Sequence, residues 1–322
     1  MNMLSVIVCL AALLPAFTVQ AQSSLSRTTP IEIVVPFGPG GAATSSAQFV
    51  ASVLKHHGYQ ALVVNKPGNN GIIAGNQVAK SPPDGHTLFL GSTSTVSANI
   101  AFRNEQTGME FDDKSFVPVI LTNRAAMGLI VSQKSSIKTF DQFKLFVKNN
   151  PDKFNIGTYN ATLGRVIKYW AKLEGLPEPT IVVYKGSAPM IIDTASGVLF
   201  CAFDNIGWGT PAMPLLEDTK LNLIAAFDNS ASKQVNKINP AATDLSKETS
   251  KLKFSVWNGL FVPTGTPANI INQINTLINK SMHEENFRER TVTMEGLGGS
   301  VADMQALITS DQELFRKIEK SK

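Results

Sequence analysis

The chain is poor in cysteine, histidine and charge, and each shortage removes a class of function. It has two cysteines in 322 residues, Cys9 and Cys201. Cys9 lies in an apolar leader, so a chain that loses the leader keeps one thiol and forms no intrachain disulfide. Stability must then come from packing. Cys201 sits in the apolar run VLFCAFDN without a base nearby, and reads as a small buried hydrophobe rather than a nucleophile. The four histidines, His56, His57, His86 and His283, form no cluster with metal-ligand spacing, so no metal is expected. Charged residues make up 17% with a net charge of +4, and the lysines and arginines are scattered, which makes no case for nucleic acid. No G-x-S-x-G elbow is present, and Ser92, Ser94 and Ser187 have no histidine placed to suggest a base, so no catalytic residue is expected. Beyond the leader, no apolar run is long enough to span a membrane.

What is present begins at the N-terminus. Met1 to Ala21 carries no charged side chain, and residues 3 to 14 are almost continuously apolar. Val19-Gln20-Ala21 is a small-residue cleavage site, so 1–21 reads as a secretory signal peptide, although the usual basic start is missing. With 43% hydrophobic residues, the remaining chain has enough apolar side chains for two cored domains.

Strand and helix patterns alternate. Ile31 to Val35, Ala61 to Val64 and Thr87 to Leu90 have strand character, and Thr44 to Leu54 and Ile72 to Ala79 have helical spacing between them. The theme returns in Ala126 to Val131, a helix from Thr139, Phe154 to Thr158, a helix to Glu174, Thr180 to Val183, Phe200 to Phe203 and Leu221 to Ala226. The tail from Ala268 to Met294 is largely helical, and a last helix covers Met304 to Ile318. This order implies parallel sheets flanked by helices, with ligands at the carboxyl ends of the strands.

The stretch VPFGPGGAATSSAQFV lies at such an end. It has no lysine to complete a P-loop, and Ala43 stands where the dinucleotide pattern needs its last glycine. Its bare N–H groups, leading into a helix capped by Thr44 or Ser45, suit an anion other than a nucleotide phosphate. A tight turn with no ligand is the plainer alternative.

The segments IEIVVPFGPGG, VVNKPGNNGIIAGNQVAKSPPDGHTLFLGSTST, VVYKGSAPM and WNGLFVPTGTP occur in this order across nearly the whole mature chain. Together they resemble the signature segments of the tripartite tricarboxylate transporter substrate-binding receptors, the Bug family. The resemblance implies an α/β, two-lobed type II periplasmic binding protein fold, each lobe a mainly parallel sheet flanked by helices. Lobe 1 is expected from 22–124 plus 229–322, and lobe 2 from 125–228. It implies a periplasmic, monomeric receptor that needs no cofactor. The receptor would close on a small carboxylate and hand it to a membrane permease, or signal occupancy to a membrane sensor. A periplasmic enzyme is the more distant alternative. Ligand contacts carried over by the resemblance are Phe37, Gly40, Gly41, Ala42, Ala43, Thr44, Ser92, Thr93, Thr158, Asn160, Ala161, Thr162, Tyr184, Lys185, Asp204 and Asn205. Each has a plainer reading: Tyr184 as interface wall, Lys185 as a solvated charge, Asp204 and Asn205 as helix caps, Phe37 as an apolar wall.

The chain also departs from the family pattern. Thr44 stands where Asp is usual and Gln48 where Arg is usual, four residues apart, which fits joint loss of a salt bridge. If that Asp meets a ligand amine in some members, its loss argues against an amino acid ligand here. The loop at Tyr159-Asn160 is short, and Arg165 lies near a position where histidine is common, either facing the cleft or turned outward.

Overall fold

The computed structural model describes residues 24–39, 42–207, 210–228, 233–287 and 298–321. Its elements, in order, are β1 (Ile31–Val35), α1 (Ala42–His56), β2 (Ala61–Asn65), α2 (Ile72–Ala79), β3 (Thr87–Ser92), a π-helical segment (Thr93–Ala98) running into the short α3 (Asn99–Ala101), and β4 (Phe116–Ser132). Next come α4 (Phe140–Asn149), β5 (Asn155–Thr158), α5 (Ala161–Leu173), β6 (Thr180–Val183), α6 (Ser187–Ser196), β7 (Cys201–Ile206), α7 (Ala212–Glu217) and β8 (Leu221–Ala226). The chain closes with α8 (Lys233–Ile238), β9 (Thr243–Asp244), β10 (Ser255–Pro263), α9 (Ala268–Ser281) and α10 (Val301–Lys320).

The strands form one curled sheet in the order β2-β1-β3-β10-β4-β7-β5-β6, with β8 and β9 branching from β4. β1 pairs in parallel with β2 and β3, and β5 pairs in parallel with β6 and β7. These two parallel trios are the sheets of two lobes. The long antiparallel pair β4–β10 joins them. β4 leaves β10 near Ala126 and continues against β7 and β8. The sequence pattern catches only the second half of β4, from Ala126; the first half alternates less clearly, with Pro118 and the polar run Thr122-Asn123-Arg124 inside it.

Each trio is covered on both faces. Around β1–β3 the apolar side chains of α1 and α9 pack on one side (Val50, Leu54, Ile270, Ile274), while Phe89, Phe111, Trp257 and Met304 fill the other. Around β5–β7 a large aromatic core of Phe143, Phe154, Trp170, Phe203 and Phe227 lies on one side, and Met190, Ile206 and Leu223 on the other. Helix α10 spans the two halves: Met304 and Ile308 belong to the first core, Phe315 and Ile318 to the second. At this helix Asp311, nearly buried, accepts a hydrogen bond from Trp257 Nε1 at 2.6 Å. Burial pushes the Asp311 carboxyl up to about 7, against the lowering effect of that bond and of the Arg124 charge. Arg124 of β4 in turn pairs with buried Asp228 at 3.0 Å and donates to Ser255 of β10 at 2.8 Å. The crossover between the lobes is therefore pinned by polar groups as well as by strand pairing.

The expected helix from Ala268 ends at Ser281, where the C-cap falls on Met282 and a short turn at Glu285–Phe287 follows. The leader 1–21 lies outside the described residues.

Candidate functional site

The carboxyl ends of β1 and β3 in one lobe, and of β5, β6 and β7 in the other, carry the candidate residues. Among these ends, Gly40 and Gly41 lie outside the described residues, as does the side chain of Ala42.

In the first lobe the hydroxyl and amide groups hold the loops in place. Helix α1 already begins at Ala42, so Thr44 is inside the first turn rather than capping it. Its hydroxyl donates to Gly38 O at 3.2 Å and accepts from Asn65 Nδ2 at 2.9 Å. The same Asn65 amide donates to Phe37 O at 2.8 Å. Asn65 opens the Asn-x-Pro-Gly-x-x-Gly motif, and that motif is thereby a buttress for the Gly-rich loop. Gly71, at its end, has φ +86°, and a Cβ there would meet Thr95 Cγ2 at 2.4 Å and Pro36 Cβ at 2.9 Å. Only glycine fits both the left-handed backbone and the close approach. Thr44 thus fills a loop-holding position.

Ser92 and Thr93 are likewise engaged. Ser92 Oγ accepts from Thr95 N at 3.3 Å, and Ser92 N donates to Thr95 Oγ1 at 2.8 Å, a reciprocal cap on the π-helical segment. Thr93 Oγ1 accepts from Trp257 N of the crossover strand at 2.9 Å. These side chains hold the end of β3 against the π-helical segment and the crossover strand.

The second lobe differs. Asn160 caps α5, with its Oδ1 accepting from Leu163 N at 2.9 Å, and its Nδ2 comes within 3.5 Å of Ser94 Oγ in the first lobe. Thr158, at the end of β5, is fully buried and its hydroxyl has no hydrogen-bond partner. Ala161 and Thr162 form the first turn of α5. Asp204 and Asn205 are not helix caps: both lie within β7. Asp204 is fully buried; Oδ2 accepts a hydrogen bond from Ser187 Oγ and Oδ1 accepts from Asn205 N at 2.8 Å. Burial pushes its carboxyl up to about 6, and the two bonds limit the rise. Tyr159, the residue after β5, lies close enough to Asp204 to feel its charge. The Tyr159 hydroxyl is held above its ordinary value by burial and then by the Asp204 charge.

Tyr184 donates its hydroxyl to Asp193 Oδ2 on α6 at 2.8 Å, and burial together with that bond pushes it up to about 12. It packs partly buried against the second core, while Lys185 is exposed. Arg165 takes neither of its two expected orientations cleanly. It pairs with Glu105 and lies 4.3 Å from the Phe102 ring centroid. Phe37 packs half-buried against the first core.

Two contributors escape a reading of the sequence: Asn65 and Ser187. Asn65 sits in a recognisable motif but acts through a neighbouring loop. Ser187, the first residue of α6, follows the Tyr-Lys-Gly turn that marks a strand end, and that turn is the available signal.

Chemically the candidate residues offer neutral donors, one exposed lysine, Lys185, and one buried carboxylate, Asp204. Burial raises the Cys201 thiol, which suppresses its thiolate. Among the described residues no group of three or more His, Cys, Asp and Glu is placed to hold a metal. No described helix is long and apolar enough to cross a membrane.

Comparison with known proteins places this geometry. The Tripartite tricarboxylate transporter family receptor model matches residues 46–320. A protein of Pseudomonas sp. (strain P51), the UPF0065 protein in the tcbD-tcbE intergenic region, is 26% identical over 299 residues, covering 90% of this chain and 85% of that protein. Protein BugT of Bordetella pertussis is 25% identical over 260 residues, covering 80% of this chain and 77% of that protein. Among solved structures, R. palustris Rpa4515 with adipate superposes with a TM-score of 0.76 at 26% identity, over 91% of this chain and 97% of that one. The periplasmic binding protein BugD shares the fold, with a TM-score of 0.71 at 21% identity over 91% and 97% of the two chains. The chain has the two-lobed periplasmic binding protein fold and belongs to the tripartite tricarboxylate transporter family receptors.

Proposed function

We propose that this chain is an exported solute receptor that captures a small organic anion, a carboxylate, between its two lobes and delivers it to a membrane transporter. The reach of Asn160 in the second lobe to Ser94 in the first, within 3.5 Å, carries the reading. It supports two sets of strand ends that face each other across one cleft. A carboxylate there would be held by the backbone N–H groups of the Gly-rich loop and the start of α1 on one side. On the other side the residues are Thr158, Asn160, Ala161 and Thr162, with Tyr184, Lys185, Asp204 and Asn205 behind or beside them. Helix starts favour an anion because their first N–H groups are unpaired and the dipole is positive there. The bound adipate of the 26%-identical neighbour supports a carboxylate as the ligand class. The uncharged leader 1–21 supports export to the periplasm.

Closure of the lobes on the anion would present a single surface to the membrane partner. The test is a thermal-shift screen of the purified protein, refolded to strip co-purified ligand, against dicarboxylates, tricarboxylates, aromatic acids and amino acids. A ligand at a hundred times its Kd stabilises by about 2.7 kcal/mol, a shift of several degrees. A selective shift with one carboxylate class is the expected result. A folded protein that responds to no organic acid would overturn the proposal.

A further inference from the structure

We infer that Asp204 couples anion capture to proton uptake, so that this receptor, if it binds a carboxylate as proposed above, binds it more tightly as the pH falls toward that of a neutral Asp204. The inference starts from a conflict. A fully buried carboxylate lies within β7, past the last β5–β7 pair and bonded to Ser187 at the start of α6, beside the residues proposed to hold an incoming carboxylate. Two like charges close together in a dry site disfavour each other, and the cheapest relief is a proton on one of them.

The surroundings of Asp204 allow that relief. Its acceptors are met by neutral donors, Ser187 Oγ and Asn205 N. Among the described residues no Lys, Arg or His forms an ion pair with it. Asp228, also buried, is the contrast: Arg124 lies 3.0 Å away and Lys253 3.9 Å away. The charged and titratable groups of the elements packed around Asp204 are directed elsewhere. Arg124 of β4 is taken by Asp228, Arg165 of α5 by Glu105, and Asp193 of α6 by the Tyr184 hydroxyl. Lys185, before α6, is exposed. Among the described residues, Tyr159 is a titratable side chain that feels the Asp204 charge, and its raised proton affinity keeps it neutral.

The proton has a defined place to go. Asn205 N–H is only a donor, so Oδ1 must remain an acceptor. Ser187 is a hydroxyl, which can turn from donor to acceptor. A proton taken from solvent onto Oδ2 would therefore be received by Ser187 Oγ, with every hydrogen bond kept. The unliganded carboxyl already titrates at about 6 because of burial. A bound anion raises it further, and between the free and bound values each anion brings up to one proton with it. The Kd then rises by up to about tenfold per pH unit across that window, and is flat below it.

The experiment is calorimetric titration of the purified protein with adipate, malate, citrate and benzoate between pH 6 and 8.5, each in two buffers of different ionisation enthalpy. Wild-type protein is expected to take up close to one proton per bound anion within this range, with Kd rising with pH. Asp204→Asn should bind with no proton uptake and a flat Kd. Ser187→Ala, which removes a donor to the charged form, should move the sloping region to higher pH; a merely structural role for either residue would lower affinity equally at every pH. Binding without proton exchange in the wild type, or uptake that survives in Asp204→Asn, would overturn the inference while leaving the receptor function intact. Failure of all four acids to bind at any pH would remove both.

Discussion

The two walls of the proposed cleft are built on different chemistry. In the first lobe every placed polar side chain is a neutral hydroxyl or amide that is already engaged: Thr44 and Asn65 tie the Gly-rich loop, Ser92 caps the π-helical segment, and Thr93 holds the crossover strand. In the second lobe the corresponding strand ends carry ionisable groups, Tyr159, Tyr184 and Asp204, all shifted upward by burial. One wall is therefore expected to be insensitive to pH and to depend on backbone geometry. The other is expected to respond to protons. A receptor can thus divide the work of anion binding, with fixed N–H donors in one lobe and an adjustable charge in the other.

The largest expected effect breaks the geometry of the first wall. Gly71→Ala would force a left-handed backbone on alanine and drive its Cβ into Thr95 and Pro36. A loss of about 3 kcal/mol is expected, from strain plus overpacking, read by urea denaturation and unchanged between pH 5 and 8. A loss that varied with pH would mean that the first wall also carries a titrating group.

Asn65→Ala removes the donor to Phe37 O and Thr44 Oγ1. About 2 kcal/mol is expected for two bonds, and affinity for the bound carboxylate should fall roughly tenfold by the same factor at every pH. An unchanged affinity would show that the loop keeps its shape without this buttress.

Asp311→Asn probes the crossover, which belongs to neither wall. The Asp311 carboxyl is raised in the folded protein, so the native state binds more protons than the unfolded chain between the ordinary Asp value and about 7. Wild-type stability then declines as pH rises through that window. The asparagine still accepts from Trp257 and has no charge to bury, so it should flatten this decline and gain about 2 kcal/mol on the wild type at pH 8 relative to pH 5. Parallel stability profiles for the two proteins would contradict the buried-charge account. The smallest effect is expected from Tyr184→Phe, which loses one bond to Asp193 and should cost about 1 kcal/mol by thermal denaturation, with little change in affinity.

Much of the framework is legible in the sequence. The strands Ile31–Val35 and Thr180–Val183 and the helix Ile72–Ala79 follow their periodicity residue for residue. These are local, strongly patterned segments bounded by Gly and Pro. What escapes is non-local. The first half of β4 is a strand because β10 pairs with it from more than 130 residues away, with bulges at Asn258/Gly259 and Leu260/Phe261. Asn65 looks like a loop residue until the fold brings Phe37 and Thr44 to it. Asp204 reads as a helix cap or a ligand contact, because its burial and its bond to Ser187 arise only when β7 and α6 pack together. Motif resemblance locates the loops of the site, whereas the division of labour between the walls lies in side-chain contacts that no single segment encodes.

The central claim is that one anion lies between these two walls and touches both. It is tested most directly by a crystal structure of the protein grown with the carboxylate that gives the largest thermal shift. The account predicts that carboxylate in the cleft, within hydrogen-bonding distance of backbone N–H groups in the 37–44 loop and of residues 158–162 in the opposite lobe. A carboxylate held by one lobe alone, or bound away from these strand ends, would contradict it.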